Sequence, residues 1–309
     1  MVTSDQDIVS VGRPQIGNEI TSYTGFASGD TIMYVPMLFK NIWGYDSAFY
    51  VQNIDPTNPA DITIKYYDTD GNLSCTMTDT IPRLSSHGYW LPFESCLPSS
   101  WVGGVVVTSS QNIVAVGRPH LGSSITAYNG VSSGIAQTYV PGLFKNSGGK
   151  DAALYVQNTD PTTTADITLK FYDTDGNLSC TMTDAIPRLS SHGYWLPYVT
   201  CLPSSWVGSV IVESNVNVVS VGRPHVDDDV ASYNGFSGGS TLAYVPMLFK
   251  NMWTTYNSTL RIQNLDAGNA ASVIIKFFDV DGDLSCVKAD TIPALGVLSY
   301  WLPDLTCSP

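Results

Sequence analysis

The sequence repeats itself with a period of 105 residues, and this repeat constrains the fold more than any other feature. Two short motifs mark each copy: Val-Gly-Arg-Pro begins at residues 11, 116 and 221, and Tyr-Val-Pro begins at residues 34, 139 and 244. A self-similar period of this length indicates that one structural unit occurs several times along the chain. Each copy is therefore expected to fold as its neighbours do.

The copies are offset from the two ends of the chain. Residues 1–4 align with residues 106–109, inside a copy. The third copy gains one residue near 254–257 and has no counterpart of residues 99–105. Stretches rich in Gly and Ser precede each Tyr-Val-Pro motif and are the best linker candidates. We therefore predict an N-terminal donor strand and linker at 1–31, complete domains at 32–136 and 137–241, and an incomplete, strand-accepting domain at 242–309.

Strand signals dominate each copy. Runs such as Ala48-Phe-Tyr-Val-Gln and Gly104-Val-Val-Val-Thr are rich in aromatic and β-branched residues, and turn residues separate them. No window has the sustained apolar period of about 3.6 residues that indicates a helix. Short strands at this spacing are typical of an immunoglobulin-like sandwich. We predict an all-β protein of three tandem immunoglobulin-like β-sandwich repeats, the third incomplete within the chain.

The cysteines occur twice in each copy, at the same spacing each time. One disulfide per copy is the simplest interpretation. A metal site is the alternative, but no pair of His or Cys recurs beside them to complete its ligands. Disulfides persist in oxidising compartments, so we predict an extracellular protein at the cell surface. The predicted pairs are Cys75–Cys96, Cys180–Cys201 and Cys286–Cys307.

The charge and hydropathy of the chain exclude two classes of partner. The net charge of −13 argues against a nucleic-acid partner, because phosphate binding needs clustered Lys and Arg. No apolar run approaches the roughly 20 residues of a membrane span. The first residues also lack the basic and apolar regions of a signal peptide. Either that peptide has been removed or the sequence is a segment of something longer.

Five motifs carry a family resemblance: Tyr-Val-Pro-Met-Leu-Phe-Lys-Asn at 34–41 and 244–251, Val-Gln-Asn at 51–53, Lys-Tyr-Tyr-Asp-Thr-Asp-Gly-Asn at 65–72, Trp-Val-Gly at 101–103 and Ser-Tyr-Asn-Gly-Phe at 232–236. They resemble tandem extracellular repeat proteins of filamentous, Chloroflexi-type bacteria. This resemblance implies secreted, surface-associated arrays of β-sandwiches. The offset of the copies resembles donor-strand pilins, in which a strand from the next subunit completes an unfinished sandwich.

An incomplete sandwich exposes its core and open sheet edges, which favours pairing with another chain. We therefore predict a structural subunit of an extracellular filament, in which copies polymerise head to tail. Two alternatives remain: a cell-surface adhesin or binding module cut from a longer array, and a ring in which residues 1–31 complete the chain's own third domain. The predicted donor strand comprises Ile8, Val9, Val11, Gly12, Arg13 and Pro14.

An Asp-rich turn recurs in each copy. Spaced carboxylates can ligate Ca²⁺, but no Glu follows at the twelfth position of an EF-hand-like loop. Asp-Gly after a strand is also a common hairpin signal. We expect a turn, no cofactor and no other metal. The alternative calcium ligands are Asp68, Asp70, Asn72, Asp173, Asp175, Asn177, Asp279, Asp281 and Asp283.

Aromatic residues suggest a second kind of partner. Trp43, Tyr45 and Trp253 lie in a loop that varies between copies, where they could bind surface glycans or pack between domains. The Trp of each Tyr-Trp-Leu-Pro motif, first at Trp90, is predicted to be core.

The sequence offers little for catalysis. His87 and His120 lose their counterparts together in the third copy, which suggests that the two positions touch. No nucleophile elbow, zinc-protease or phosphate-loop motif is present. We expect no enzyme.

Overall fold

The computed structural model describes residues 1–16, 19–226, 229–252 and 256–306, and the protein is all-β over these ranges. Strands alternate with turns, and the helices described there are single 3₁₀ turns containing a proline. These turns are Leu91–Phe93, Leu196–Tyr198 and Leu302–Asp304.

The strands form four groups along the sequence, and the second and third groups correspond strand for strand. The N-terminal segment contains β1 (Val11–Gly12), β2 (Gln15–Ile16), β3 (Glu19–Ile20) and β4 (Tyr23–Thr24). The first sandwich (30–131) contains β5 (Asp30–Lys40), β6 (Tyr45–Asn53), β7 (Ala60–Asp68), β8 (Leu73–Ile81), β9 (Ser86–Trp90), β10 (Trp101–Leu121), β11 (Ser124–Ile125) and β12 (Tyr128–Asn129). The second sandwich (135–236) contains β13 (Ile135–Lys145), β14 (Lys150–Asn158), β15 (Ala165–Asp173), β16 (Leu178–Ile186), β17 (Ser191–Trp195), β18 (Trp206–Val226), β19 (Asp229–Val230) and β20 (Tyr233–Asn234). The third unit (240–306) contains β21 (Thr259–Gln263), β22 (Ala271–Phe278), β23 (Leu284–Ile292) and β24 (Val297–Trp301).

One long strand belongs to both sheets of each complete sandwich. The first half of β10 pairs with β5 and β7, and its second half pairs with β6, β11 and β12. One sheet therefore has the order β8-β7-β10-β5, and the other has the order β9-β6-β10-β12. In the second sandwich β18 takes the same central place in both sheets.

The sequence predicts two strands, at 101–108 and 113–118, where the structure has this single long one. Residues 108–112 are polar and largely exposed, so they resemble a turn between two apolar runs. They contain no Gly or Pro to reverse the chain. Instead, the register against β5 shifts between Thr108 and Ile113. The strand therefore bends from one sheet into the other without ending.

Alternate residues of the strands face a sealed core. On β7, Ile62, Ile64 and Tyr66 are at most 1% exposed, and Val105 and Val107 of the long strand are 0% exposed. Each such aliphatic side chain contributes about 1.5–3 kcal/mol of burial free energy. The central position of the long strand thus places it against apolar residues on both of its sides.

The third unit lacks a counterpart of the long strand among its described residues, and its other strands separate. β21 pairs with β24, and β22 pairs with β23, as two two-stranded sheets. Residues 241–249, which correspond to β5, form no strand because the partner of β5 is the long strand. The core-facing residues Val273, Ile275 and Phe277 are only half-buried.

The two complete sandwiches follow each other closely. A backbone bridge between Tyr34 and Val131 ties the end of the first sandwich to its first strand. The next strand already begins at Ile135, so the boundary predicted at 136–137 falls inside it. Only residues 132–134 therefore connect the two sandwiches.

Candidate assembly interface

The N-terminal segment folds as the same hairpin that ends each complete sandwich. Val11 pairs with Thr24, as Val116 pairs with Asn129 in the first sandwich. The second sandwich repeats this pairing between β18 and β20. The N-terminal hairpin is therefore formed without the rest of the sandwich that it would end.

The residues before this hairpin are exposed where their counterparts are core. Ile8 and Val9 are 54% and 63% exposed. The corresponding residues of the long strand, Ile113 and Val114, are 0% and 5% exposed. Ile8 and Val9 thus carry apolar surface that a sandwich would bury.

The three hairpins stack on one another through asparagine side chains. Asn129 Nδ2 donates a hydrogen bond to the Thr24 carbonyl oxygen at 2.8 Å, and Asn234 Nδ2 donates to the Asn129 carbonyl oxygen at 2.7 Å. The partners are 105 residues apart in both cases. The N-terminal hairpin therefore lies against the first sandwich as the hairpin of the first lies against the second.

A tyrosine anchors each complete hairpin to its own sandwich. The Tyr128 hydroxyl donates to the Pro36 carbonyl oxygen, and the second sandwich has the same bond. The corresponding residues of the incomplete copy are Tyr23 and Pro246, which lie in separate parts of the chain. Both halves of this anchor are thus present, one at each end.

Arg13 brings the two ends of the chain into contact. Its guanidinium lies 5.6 Å from the ring centroid of Phe249 and 5.2 Å from that of Tyr256. The equivalent rings in the first sandwich, Phe39 and Tyr45, receive Arg223 from the second sandwich at 5.7 and 4.3 Å. Arg13 therefore contacts the third unit in the way that the arginine of the following repeat contacts the first sandwich. Among the described residues, the N-terminal hairpin forms no strand pairing with the third unit.

Arg223 joins the two complete sandwiches, and the sequence gives no sign of this role. It is fully buried and donates from Nη1 to the Tyr155 hydroxyl at 2.8 Å. Its Nε and Nη2 make no hydrogen bond with described residues. Aromatic rings from both sandwiches surround the guanidinium, and such rings attract a cation by about 2 kcal/mol when it is desolvated.

Two turns meet at each junction between repeats. We call residues 68–72, with counterparts at 173–177 and 279–283, the aspartate turn, and residues 81–85, with counterparts at 186–190 and 292–296, the proline loop. A methyl group on Gly71 would lie 2.8 Å from Pro187 Cβ, so the aspartate turn of the first sandwich touches the proline loop of the second. Gly176 lies against Ala294 in the same way at the next junction.

An apolar cluster and a hydrogen bond complete the first junction. Leu189 packs with Tyr34, Tyr67 and Val106 of the first sandwich. His192 Nε2 lies 3.0 Å from the Thr69 carbonyl oxygen. At the second junction the Val297 backbone N–H donates to the equivalent carbonyl, that of Thr174, at 3.2 Å. One type of junction therefore occurs twice in the chain.

In each aspartate turn, the carboxylate of the first aspartate holds the backbone of the turn. Asp68 accepts hydrogen bonds from the N–H groups of Asp70 and Asn72 at 3.0 and 2.8 Å, and Asp173 and Asp279 accept the same bonds in their own turns. Within the described ranges, no group of three or more His, Cys, Asp or Glu has the geometry of a metal site. In each turn the first carboxylate therefore fixes the backbone of the residues that follow it.

The predicted contact between His87 and His120 is wrong. His87 pairs with Val51 of β6, and His120 pairs with Asp46 of the same strand. The two histidines therefore lie several residues apart along β6. His87 Nδ1 instead lies 2.8 Å from the Asp79 carboxylate, which also accepts the Tyr89 hydroxyl at 2.8 Å. Burial raises the pKa of Asp79, but these hydrogen bonds outweigh it and hold the pKa below its ordinary value. His192 has the equivalent partners in the second sandwich.

The second histidine of each sandwich packs on a tryptophan. His120 lies edge-on to Trp90 at 4.9 Å, and His225 lies on Trp195 at 4.8 Å. Burial and then the neighbouring arginine lower the pKa of each histidine to about 4. Trp90 and Trp195 are half-buried, not core as the sequence predicts, and each packs on the histidine of its own sandwich. Trp301, which has no counterpart of this histidine among the described residues of the third unit, is 44% exposed.

Two of the three predicted disulfides are present in the described chain. Cys75 is joined to Cys96 and Cys180 to Cys201, each pair with Cα atoms 5.7 Å apart. The third predicted pair includes Cys307, which lies outside the described residues. Each disulfide fixes the outer strand of one sheet to the loop before the long strand.

An aromatic groove of about 910 Å³ opens at the first junction. Trp43 and Tyr198, 72% and 81% exposed, stand at its surface, and Tyr45 and Tyr155 line it from the two sandwiches. Trp253 lies outside the described residues. The variable loop therefore contributes both to packing between sandwiches, through Tyr45, and to an exposed aromatic surface, through Trp43.

Comparisons with known proteins add little to these observations. No family model matches the chain, and no curated protein matches it. Among solved structures, a protein assigned as a beta-galactosidase from Bacteroides fragilis is 10% identical over 68% of this chain, with a TM-score of 0.14. The chain spans 33% of the length of that protein. A likeness this low indicates neither a shared fold nor a shared activity. No described helix is long and apolar enough to cross a membrane.

Proposed function

We propose that this chain is a structural subunit of an extracellular filament, in which the N-terminal strand of one copy completes the third unit of another. The stacking of the N-terminal hairpin on the first sandwich is the main support. That hairpin already stands where the hairpin of a preceding repeat would stand. Among its described residues, the third unit contains the other strands of such a repeat, β21 to β24.

The chemistry of the two parts matches. The third unit leaves its core-facing residues half-buried on both separated sheets. The segment that begins at Ile8 has the sequence pattern of the strand that covers these positions in complete sandwiches. Burying Ile8 and Val9 would contribute about 1.5–3 kcal/mol each, in addition to backbone pairing with β21, the counterpart of β6. A head-to-tail contact of this kind extends into an open filament unless its rotation closes a ring.

An extracellular location is part of the proposal. The two disulfides are compatible with secretion, since such bonds persist outside the reducing cytosol. A repeat that is joined by short connections also suits a load-bearing surface polymer better than a flexible tether.

Deletion of residues 1–14 tests the proposal by electron microscopy and sedimentation. The full chain is expected to form filaments, and the deleted chain is expected to stay monomeric. Deletion of residues 1–4 alone is the matched control, because it keeps the segment that begins at Ile8. Ile8→Asp should abolish assembly, whereas Ile8→Val should preserve it, since Val218 occupies this position in the second sandwich. Equal assembly of the full chain and the chain without residues 1–14 would show that the strand is not the connector.

The groove at the first junction supports a second candidate function, binding of surface glycans by an adhesin. Exposed aromatic faces at a concave site offer flat apolar surface with polar edges, as ligand sites commonly do. Quenching of tryptophan fluorescence by soluble oligosaccharides would measure binding. Trp43→Ala should remove the signal, and Phe93→Ala, 83% exposed and outside the groove, is the control. An equal loss in both variants would exclude the groove as the site.

A further inference from the structure

We propose that the proline loop of one copy, led by Leu84, docks on the third unit of a second copy, against Phe278 and the aspartate turn. This inference rests on the proposed filament and names the second contact that would fix the angle between subunits. The same two surfaces already meet twice inside the chain, at its two junctions. The occupant of each open surface is therefore the other surface, on a second copy of the chain.

Residues of this contact are buried at the first junction, whereas their counterparts at the two ends of the chain are exposed. Leu189 is 8% exposed at the first junction, whereas its counterpart Leu84 is 41% exposed. Tyr67 is 6% exposed, whereas its counterpart Phe278 is 59% exposed. Val280, at the tip of the third aspartate turn, is 97% exposed. The first sandwich thus presents an exposed leucine, and the third unit presents an exposed aromatic side chain.

The exposure of a neighbouring leucine shows that the difference in exposure arises from the contact between repeats. Leu73, Leu178 and Leu284 are equivalent residues at the start of the second strand of each hairpin. They are 52%, 55% and 53% exposed, with or without a following repeat. The exposure of this leucine therefore does not depend on a neighbouring repeat, unlike that of Leu84 and Phe278.

The backbone of the proline loop is strained in every copy. Leu84, Leu189 and Leu295 have φ angles of 55°, 60° and 57°, a region that costs free energy for a leucine. At the first junction this conformation places the leucine against the preceding repeat. The first sandwich keeps the strain although Leu84 has no such cluster around it, which favours a contact made on assembly.

His87 is oriented for the polar part of the contact. Its Nδ1 and Tyr89 share the Asp79 carboxylate, the arrangement that holds His192 in the second sandwich. In that sandwich the free ring nitrogen reaches the Thr69 carbonyl oxygen of the preceding aspartate turn. The equivalent carbonyl at the open end belongs to Val280. His87 Nε2 would therefore bind the Val280 carbonyl oxygen of the second copy.

Docking would also replace the contact between Arg13 and the third unit, which joins the two ends of the single chain. At the first junction Arg223 reaches the aromatic rings of the preceding sandwich. Arg118 is the equivalent residue of the first sandwich, and it stacks on Tyr50 of its own sandwich at 5.0 Å. In the docked pair Arg118 would lie on Phe249 and Tyr256 of the second copy, where Arg13 lies in the single chain.

Leu84→Asp tests the contact, with Leu73→Asp as the matched control. Both changes place a carboxylate on an exposed leucine of the first sandwich, and thermal unfolding of the monomer should be unchanged in both. Sedimentation across a concentration series should show that Leu84→Asp raises the concentration needed for assembly at least tenfold, since burying one leucine corresponds to a factor of that order. Leu73→Asp should leave this concentration unchanged.

A cross-link identifies the partner surface. A photoreactive benzoylphenylalanine at position 278 should join a peptide containing Leu84, and mixed light and heavy copies should give cross-links between isotopes. Cross-links within one isotope alone would overturn the second copy as occupant. If Leu84→Asp assembles as the unchanged chain does, while deletion of residues 1–14 prevents assembly, this contact is wrong and the strand-donation proposal stands. If the deletion also assembles, strand donation is wrong, and the Leu84 comparison still decides this contact.

Discussion

The first sandwich and the third unit have nearly the same pattern of apolar and turn residues, yet they differ in structure because of one strand. With the long strand, two sheets share a central member and seal a core containing Ile62 and Ile64. Without it, the equivalent strands form two separate pairs, and the segment that corresponds to β5 forms none. The comparison shows that the two hairpins of a repeat do not make a sandwich alone. A sandwich forms only when the two sheets also share the long strand.

The largest expected effect comes from weakening this strand inside a complete sandwich. Ile113→Ala removes a fully buried side chain and should destabilise the first sandwich by about 3 kcal/mol. Ile8→Ala changes the equivalent residue of the N-terminal segment, which is 54% exposed, and should leave unfolding of the single chain unchanged. Urea unfolding monitored by hydrogen exchange in each unit measures the change in the free energy of unfolding for both variants. Equal losses would contradict the different environments of the two residues.

An intermediate effect is expected from pH, and only in the complete sandwiches. The pKa values of His120 and His225 are about 4 in the folded protein, below the ordinary value of about 6.5. The unfolded chain therefore binds protons first, so the stabilising contribution is complete above about pH 6.5 and is lost as the pH falls towards 4.

The size of this loss is about 2 kcal/mol for each sandwich, allowing for the partial exposure of the rings. Urea titrations at pH 7 and pH 4.5 would measure it. His120→Gln and His225→Gln should remove it, since Gln15 stands at this position in the N-terminal hairpin. The third unit has no such histidine, so hydrogen exchange in β22 and β23 should change little over the same range.

The smallest effect concerns Arg261, where the third unit departs from the pattern. Tyr50 and Tyr155 occupy this position in the complete sandwiches and stack with the arginine of the long strand at 5.0 and 5.9 Å. In a completed third unit Arg13 would meet Arg261, and two cations repel. Arg261→Tyr should therefore strengthen assembly by a few-fold, measured by sedimentation. Arg261→Lys keeps the charge and should give no gain.

The sequence predicts the local features of this protein and misses those that depend on how repeats meet. The 105-residue period, the strands and the cysteine pairs follow from residue spacing, because each is a property of one copy. The long strand is divided in the prediction because the polar residues 108–112 look like a turn. Arg223 and the left-handed Leu189 give no local signal, since their partners come from the preceding sandwich. The same is true of Trp90, whose cover is a histidine on a distant strand.

The long strand has a mechanical consequence. Over residues 113–121, the part that corresponds to the N-terminal donor strand, it is hydrogen-bonded to β6 on one side and to β12 and β11 on the other, all antiparallel to it. A force that pulls such a strand along its own axis loads these bonds together, in shear, and none can open before the others. If subunits are joined by a strand in this position, tension along the polymer would act on the most resistant direction of each sheet. Rupture would then require many bonds to fail at once, whereas peeling the edge strand β8 would break them one at a time.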